Sequence, residues 1–132
     1  MLALNPRRVE FGGDTWGNVS SVAISRTAET LIAEWSDAGP HMVLADVPEQ
    51  RVTVEVVQSL LGEDMDEPKP GAMGTLSFET GRSSTDSSTD TVSMTAVIER
   101  VWYEVSVSRG STRRVRLLAV SADGLADPVS VS

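Results

Sequence analysis

The feature that most limits the fold of this chain is a long alternating stretch over residues 91–108, TVSMTAVIERVWYEVSVS. Apolar residues occupy the even positions over Val92–Ile98 and the odd positions over Val101–Val107. Because strand side chains alternate between two faces, each half places its apolar set on one side of a sheet. The change of parity predicts either a bulge or a change of the buried face near Arg100–Trp102.

The same stretch is longer than a compact domain needs. Its 18 residues at roughly 3.3 Å each would span about 60 Å, against ~17–20 Å for a typical strand. A strand of that length suits the wall of a large assembly or a projecting hairpin better than a catalytic pocket. The stretch therefore indicates a protein that assembles with other subunits.

The composition is that of one soluble globular domain over residues 1–132, with 40% hydrophobic and 23% charged residues. No run of ~18 apolar residues occurs, and the start MLALNPRR has the wrong charge order for a signal peptide. The absence of cysteine excludes disulfides, thiolate metal sites and cysteine nucleophiles. We therefore expect synthesis in the cytoplasm and no membrane partner.

The formal net charge of −8 argues against a protein that grips nucleic acid, since phosphate neutralisation needs clustered cations. Lys69 is the one lysine among 11 Lys and Arg residues. This arginine bias fits a GC-rich genome. It also fits bidentate pairing of arginine with carboxylates between subunits.

The rest of the chain reads as strands separated by turns, which predicts a mainly β, antiparallel sandwich or barrel with a long hairpin and at most one short helix. The predicted strands cover residues 7–11, 19–25, 51–57, 75–80, 91–108, 113–121 and 128–131. Turns are expected after residue 11, at 109–111 and at 123–124, and irregular connections over 39–50 and 62–74. The polar segment 81–90 is predicted to be a mobile hairpin tip.

Residues 27–37 admit two readings. Ala28, Leu31 and Trp35 have helical spacing, whereas Leu31, Ala33 and Trp35 also alternate as in a strand. Periodicity alone slightly favours the helix.

No residue is predicted to be catalytic, to bind a cofactor or to bind a metal. His41 is the single histidine and has no matching partner, and the carboxylates of residues 63–67 lack the order of an EF-hand loop. The glycines near Gly12 are followed by neither a helix nor a G-K-[ST] sequence, so a phosphate cradle is unsupported. Trp102 and Tyr103 are adjacent and face opposite sides of a strand, so one of them is a candidate anchor between subunits.

Several segments together resemble the tail tube proteins of tailed bacteriophages and prophages. They are Pro6-Arg7-Arg8-Val9, Glu34-Trp35-Ser36-Asp37-x-Gly39-Pro40, Asp46-Val47-Pro48-Glu49-Gln50-Arg51-Val52-Thr53-Val54, Pro70-Gly71-x-x-Gly74-Thr75-Leu76-x-Phe78 and Val120-Ser121-Ala122-Asp123-Gly124-x-x-Asp127-Pro128-Val129. The resemblance covers nearly the whole chain and rests on turn-and-strand patterns rather than on chemical signatures.

This resemblance implies a β-sandwich whose copies form hexameric rings, with a long hairpin from each copy in a continuous inner barrel. Rings then stack into a virion tube that lets genomic DNA pass without specific binding. The implied partners are other copies of the chain, a tape-measure protein, a tail terminator and baseplate proteins. It also implies a strand over Glu29–Ser36, which we adopt over the helix, and it carries no catalytic or cofactor residue.

Within this reading we expect acidic residues to line the lumen or the contacts between rings, because a negative wall repels phosphate over a Debye length of roughly 8 Å. The candidates are Glu79, Asp86, Asp90, Glu99 and Glu104. The 81–90 segment is expected to order against the adjacent ring. Alternatives are a tail terminator or baseplate ring protein of the same fold, and a monomeric ligand-binding β domain.

Overall fold

The computed structural model describes residues 2–3, 6–60, 68–81, 89–106 and 110–132. Within these ranges the regular structure consists of nine strands, and there is no helix. The strands are β1 (Leu2–Ala3), β2 (Arg7–Phe11), β3 (Asp14–Thr15), β4 (Val19–Trp35), β5 (Met42–Leu60), β6 (Met73–Gly81), β7 (Thr89–Ser106), β8 (Gly110–Val120) and β9 (Ser130–Val131).

All nine strands belong to one antiparallel sheet. Its order is β1-β4-β5-β8-β7-β6-β2-β3, and β9 pairs with β7. The predicted mainly β, antiparallel fold is therefore confirmed. Within the described ranges the two outermost strands, β1 and β3, do not pair with each other, so the sheet is open.

One face of the sheet carries the hydrophobic core. The alternation predicted over residues 51–57 is confirmed, since Val54 pairs with Leu117 on β8 and with Ile24 on β4. Each fully buried aliphatic side chain of this kind stabilises the fold by roughly 1.5–3 kcal/mol. The core comprises Val9, Phe11, Trp16, Val22, Ile24, Val52, Val54, Val56, Leu76, Phe78, Val92, Met94, Ala96, Ile98, Val115 and Leu117.

The change of parity in β7 is produced by a bulge. Ile98 lies opposite Leu117, but after a register shift Arg100 lies opposite Arg116. The extra residue, Glu99, returns the odd-numbered residues to the core side, so of the two predicted alternatives the bulge is the one that forms.

Residues 29–35 form a strand within β4, so the strand interpretation is confirmed over that range and the helical alternative is wrong. The predicted connection over 39–50 is also wrong from Met42 onward, because β5 begins there. Pro48 suits this strand because the register shifts between the pairs Thr30–Glu49 and Ile32–Asp46, and irregular positions accept proline.

Other boundaries differ from the predictions by a few residues. β6 begins at Met73 rather than Thr75, and β8 begins at Gly110 rather than Arg113. The predicted edge strand shortens to Ser130–Val131. Residues 62–67 of the predicted 62–74 connection, 82–88 of the predicted 81–90 tip and 109 of the predicted turn lie outside the described residues. The prediction of a mobile tip is wrong at Gly81, Thr89 and Asp90, which lie in the paired strands β6 and β7.

The predicted turn after Phe11 joins β2 to β3. Phe11 pairs with Asp14 around Gly12 and Gly13, whose φ values of 61° and 90° are those of a type I′ hairpin turn. The turn lies close to β6, because a Cβ atom added to Gly74 would come within 3.1 Å of the Gly12 Cα atom.

Candidate assembly surface

Beyond the core, β4 and β5 continue as a two-stranded ribbon that we call the arm, residues 27–51. Pairing of β5 with β8 ends at Val52 opposite Ala119, and β1 reaches only Val22 and Ala23 on β4. Past these positions, the described strands β4 and β5 pair only with each other. Both long edges of the arm thus present backbone groups available for further pairing.

One face of the arm between Leu31 and Val47, which we call the apolar face, carries hydrophobic side chains. Ala33 pairs with Ala45 and, after a register shift, Trp35 pairs with Met42. Leu31, Trp35 and Met42 on this face are 59%, 59% and 51% exposed. The full set is Leu31, Ala33, Trp35, Met42, Ala45 and Val47.

The opposite face, which we call the mixed face, alternates acidic and aliphatic groups. Ile32 lies opposite Asp46, and Glu34 lies opposite Leu44. Both aliphatic side chains are exposed, and neither carboxylate makes an ion pair with any residue that the structure describes.

The arm is acidic as well as apolar. From Thr27 to Gln50 the sequence contains Glu29, Glu34, Asp37, Asp46 and Glu49 and no lysine or arginine. A surface that matches the arm should therefore be both apolar and basic.

Two ion pairs fix the root of the arm. The Arg51 Nε atom lies 3.0 Å from the Glu29 carboxylate, and the Arg26 guanidinium donates to Asp127 at 3.0 Å. The second pair joins β4 to residues 121–129, which connect β8 to β9. Exposed ion pairs of this kind contribute only about 0–1 kcal/mol, so they orient the arm more than they stabilise the fold.

The connection between β8 and β9 is held by two aspartates. Backbone N–H groups of Ala126 and Leu125 and the Ser121 hydroxyl donate to Asp123 and lower its pKa from 3.8 to about 2. The Val129 N–H group, and then the Arg26 guanidinium, lower the pKa of Asp127. Both carboxylates are thus held in their charged forms.

Trp102 lies on the sheet face opposite the core, as predicted for one member of the Trp102–Tyr103 pair. It pairs across the strands with Arg114, while Tyr103 pairs with the buried Arg113. The Arg100 guanidinium lies 4.7 Å from the centre of the Trp102 ring, within cation–π range. The role of Trp102 as an anchor between subunits stays a prediction.

The predicted lumen acids do not gather on one face. Glu79 lies on the outer face within 3.4 Å of Arg8, whereas Asp90 follows the core-facing parity of Val92. Glu99 lies in the β7 bulge, and Glu104 lies on the outer face beyond Trp102. Asp86 lies outside the described residues. The lumen assignment stays a prediction.

The remaining candidates from the sequence are His41, the glycines near Gly12 and the acidic run 63–67. His41 is exposed in the turn between β4 and β5, and the glycines near Gly12 close a hairpin. The acidic run 63–67 lies outside the described residues. Among the residues that are described, no three His, Asp or Glu side chains lie close enough together to hold a metal ion.

Sequence reasoning missed a buried polar cluster at the β5–β8 pair. Arg113 donates to the Gln58 side-chain oxygen, Gln58 donates to the Gly17 carbonyl at 2.7 Å, and the Arg113 guanidinium lies 5.1 Å from the centre of the Trp16 ring. These side chains and Lys69 line a hollow of about 510 Å³. Strand parity could have found both residues, because Arg113 continues the alternation of Val115 and Gln58 continues that of Val56.

The sequence matches no protein-family model and no curated protein. No helix in the described part of the chain is long and apolar enough to cross a membrane.

Proposed function

We propose that this chain is a structural protein of a tailed-bacteriophage or prophage virion, and that its copies form rings that stack into the hollow tail tube. It has no catalytic role, is made in the host bacterial cytoplasm and acts in the virion tail. Its main partner is itself, with tape-measure, terminator and baseplate proteins at the ends and interior of the tube. The ring size of six comes from the sequence resemblance alone.

The observation that carries this proposal is the arm. A two-stranded hairpin alone is marginally stable in water. This one exposes hydrophobic side chains on both faces, and no other described strand pairs with either of its edges. Burying one such Leu or Val side chain contributes roughly 1.5–3 kcal/mol. The arm therefore gains stability where a neighbouring copy covers it.

The dimensions of the arm favour an assembly with several arm contacts over one held by a single arm. About nine residues per strand at roughly 3.3 Å, and two strands about 10 Å wide, give roughly 300 Å² per face. A stable complex buries about 800 Å² per partner. A single arm contact is therefore weak, whereas an assembly in which each copy gives and receives an arm secures two contacts per copy.

The type of assembly depends on which surface of the next copy the arm binds. An arm that docks on a different surface of the next copy makes a head-to-tail interface, which closes into rings or extends into a filament. The same arrangement would also protect the edges of the open sheet. Edge strands that pair with neighbouring copies in the assembly are no longer available for nonspecific aggregation.

Negative-stain electron microscopy of the purified protein tests the function. We expect hollow filaments of uniform width, or rings that stack as the concentration rises. Rings that never stack would favour a terminator or baseplate role for the same fold. A monomer at high concentration would contradict both and favour a ligand-binding domain.

A further inference from the structure

The outer face of β7 and β8 carries three arginines and a tryptophan, which we call the outer patch: Arg100, Trp102, Arg114 and Arg116. Arg100 lies directly opposite Arg116, and Trp102 lies directly opposite Arg114. Val97, Leu118 and Val57 extend the same face with partly exposed aliphatic side chains. The patch is therefore rich in both arginine and apolar groups in a protein whose net charge is −8.

Two of its arginines are available for a partner. Arg114 binds Glu55 at 3.1 Å, but Arg100 and Arg116 are exposed and form no ion pair with the residues that the structure describes. Glu104 lies at the far end of the patch, two positions beyond Trp102, and the exposed Glu99 lies beside Arg100 in the bulge. Glu55, Glu99 and Glu104 equal the three arginines in number, so the patch offers a partner the two guanidinium groups of Arg100 and Arg116 rather than a net positive charge.

The surface beside Arg116 is concave. A depression of about 390 Å³ runs over β4 and β5 on this side of the sheet, and its lining includes Ala23, Thr53 and Arg116. A ribbon laid against the outer patch thus has room along its flank.

We propose that the mixed face of the arm of one copy docks on the outer patch of the next copy, with Glu34 and Asp46 against the arginines. The proposal rests on the proposed function, since it names the surface that receives the arm. In the arm, the Ile32–Asp46 and Glu34–Leu44 pairs form two successive rows. In the patch, the Arg100–Arg116 and Trp102–Arg114 pairs form two rows as well.

The spacing of these rows agrees. Alternate residues on a strand lie roughly 6.6 Å apart, and paired residues lie about 4.5–5.5 Å apart. The side chains of the arm and of the outer patch are therefore spaced at the same distances both along and across the strands. Each arm row offers one carboxylate and one aliphatic group, and each patch row offers at least one guanidinium. Arginine suits carboxylate recognition because its planar fork donates two parallel hydrogen bonds.

A charge exchange tests the proposal. Glu34→Arg with Asp46→Arg, and separately Arg100→Glu with Arg116→Glu, should each lower the sedimentable fraction at least tenfold, because like charges across an interface cost several kcal/mol. The variant with all four substitutions should recover assembly. Arg7→Glu with Arg8→Glu is the control, since it makes the same change of net charge on β2.

The outcomes separate the two proposals. If the wild type assembles and the Arg100→Glu, Arg116→Glu variant assembles equally well, the outer patch is not the receptor, although the tube function stands. Failure of the fourfold variant to recover while every variant keeps the wild-type circular dichroism would also overturn the pairing. If the wild type never assembles, the proposed function itself fails.

Cross-linking gives a second readout that does not depend on charge. Because the chain contains no cysteine, Leu44→Cys and Leu118→Cys proteins can be mixed and treated with a short bismaleimide. We expect a covalent dimer from the mixture that exceeds the yield from either protein alone, with Leu44→Cys and Ser77→Cys as the control pair. Equal yields from both pairs would overturn the proposal. A second measurement is the binding of duplex DNA to the monomer. If the Arg100→Glu, Arg116→Glu variant loses DNA binding but still assembles, the patch binds DNA rather than the arm, and the proposal is overturned.

Discussion

Arg26 and Asp127 join the root of the arm to the segment before the last strand through a 3.0 Å hydrogen-bonded ion pair that spans 101 positions of the sequence. Asp127 also accepts the Val129 N–H group, and four residues earlier Asp123 accepts two backbone N–H groups. The orientation of the arm is thereby tied to a segment whose shape depends on charged carboxylates.

This dependence predicts a response to acid. The pKa of Asp123 falls from 3.8 to about 2 in the folded protein, so its carboxylate contributes stability that is complete above about pH 4 and is lost as the pH falls toward 2. Asp123→Asn should flatten the slope of unfolding free energy against pH in that window. Urea titrations at several pH values check this, and equal slopes for the two proteins would contradict it.

The exposed side chains of the arm predict a separation of stability from assembly. Trp35→Ser should change the free energy of unfolding of the monomer by less than about 1 kcal/mol, because its side chain is already 59% exposed. The same change should abolish assembly, since Trp35 is the largest group on the apolar face. Thermal melts and sedimentation velocity give the two quantities, with Met73→Ser, also exposed, as the control.

Two leucines provide a matched comparison of core and arm. Leu117→Ala should cost about 2–5 kcal/mol of stability, because Leu117 is fully buried between Val54 and Ile98. Leu31→Ala should cost less than about 0.5 kcal/mol in the monomer. Denaturant unfolding of the two variants measures both values, and similar losses would show that the arm is covered within one chain.

The close approach of two glycines predicts a third effect on stability. Gly74→Ala places a Cβ atom 3.1 Å from the Gly12 backbone, which should cost about 1–3 kcal/mol by displacing the β2–β3 turn. Gly17→Ala is the control because nothing lies within 4 Å of its added Cβ atom. If both substitutions have the same effect on the melting temperature, the packing of the turn against β6 is not as described.

Much of the fold could be predicted because it depends on local alternation. The phase of residues 51–57, the change of parity near Arg100 and the mainly β architecture all follow from apolar spacing along single strands. That a bulge produces the change of parity is decided only by the pairing of β7 with β8. The strand over Met42–Gln50 could not, because Pro48 and the preceding Gly39–Pro40 are local signals for a connection. Pairing with β4, a tertiary effect, overrides them.

The same limit applies to the candidate surfaces. Leu31, Ala33 and Trp35 show the alternation of the apolar face in the sequence, but the second half of that face lies on a strand that the sequence did not predict. The outer patch is even harder to predict from the sequence, since Arg100 and Arg116 become neighbours only after the register shift in β7. Both surfaces depend on which strands pair, and a single sequence does not specify that.

Hydrogen exchange of the arm backbone is the most direct test of assembly through the arm. We expect the amides of residues 27–35 and 42–51 to exchange rapidly at low concentration, while those of core strand residues 52–57 stay protected. Under assembling conditions the arm amides should slow at least tenfold, because a neighbouring copy then covers them. Equal exchange of the arm at low and high concentration, in a protein that remains folded, would contradict the account.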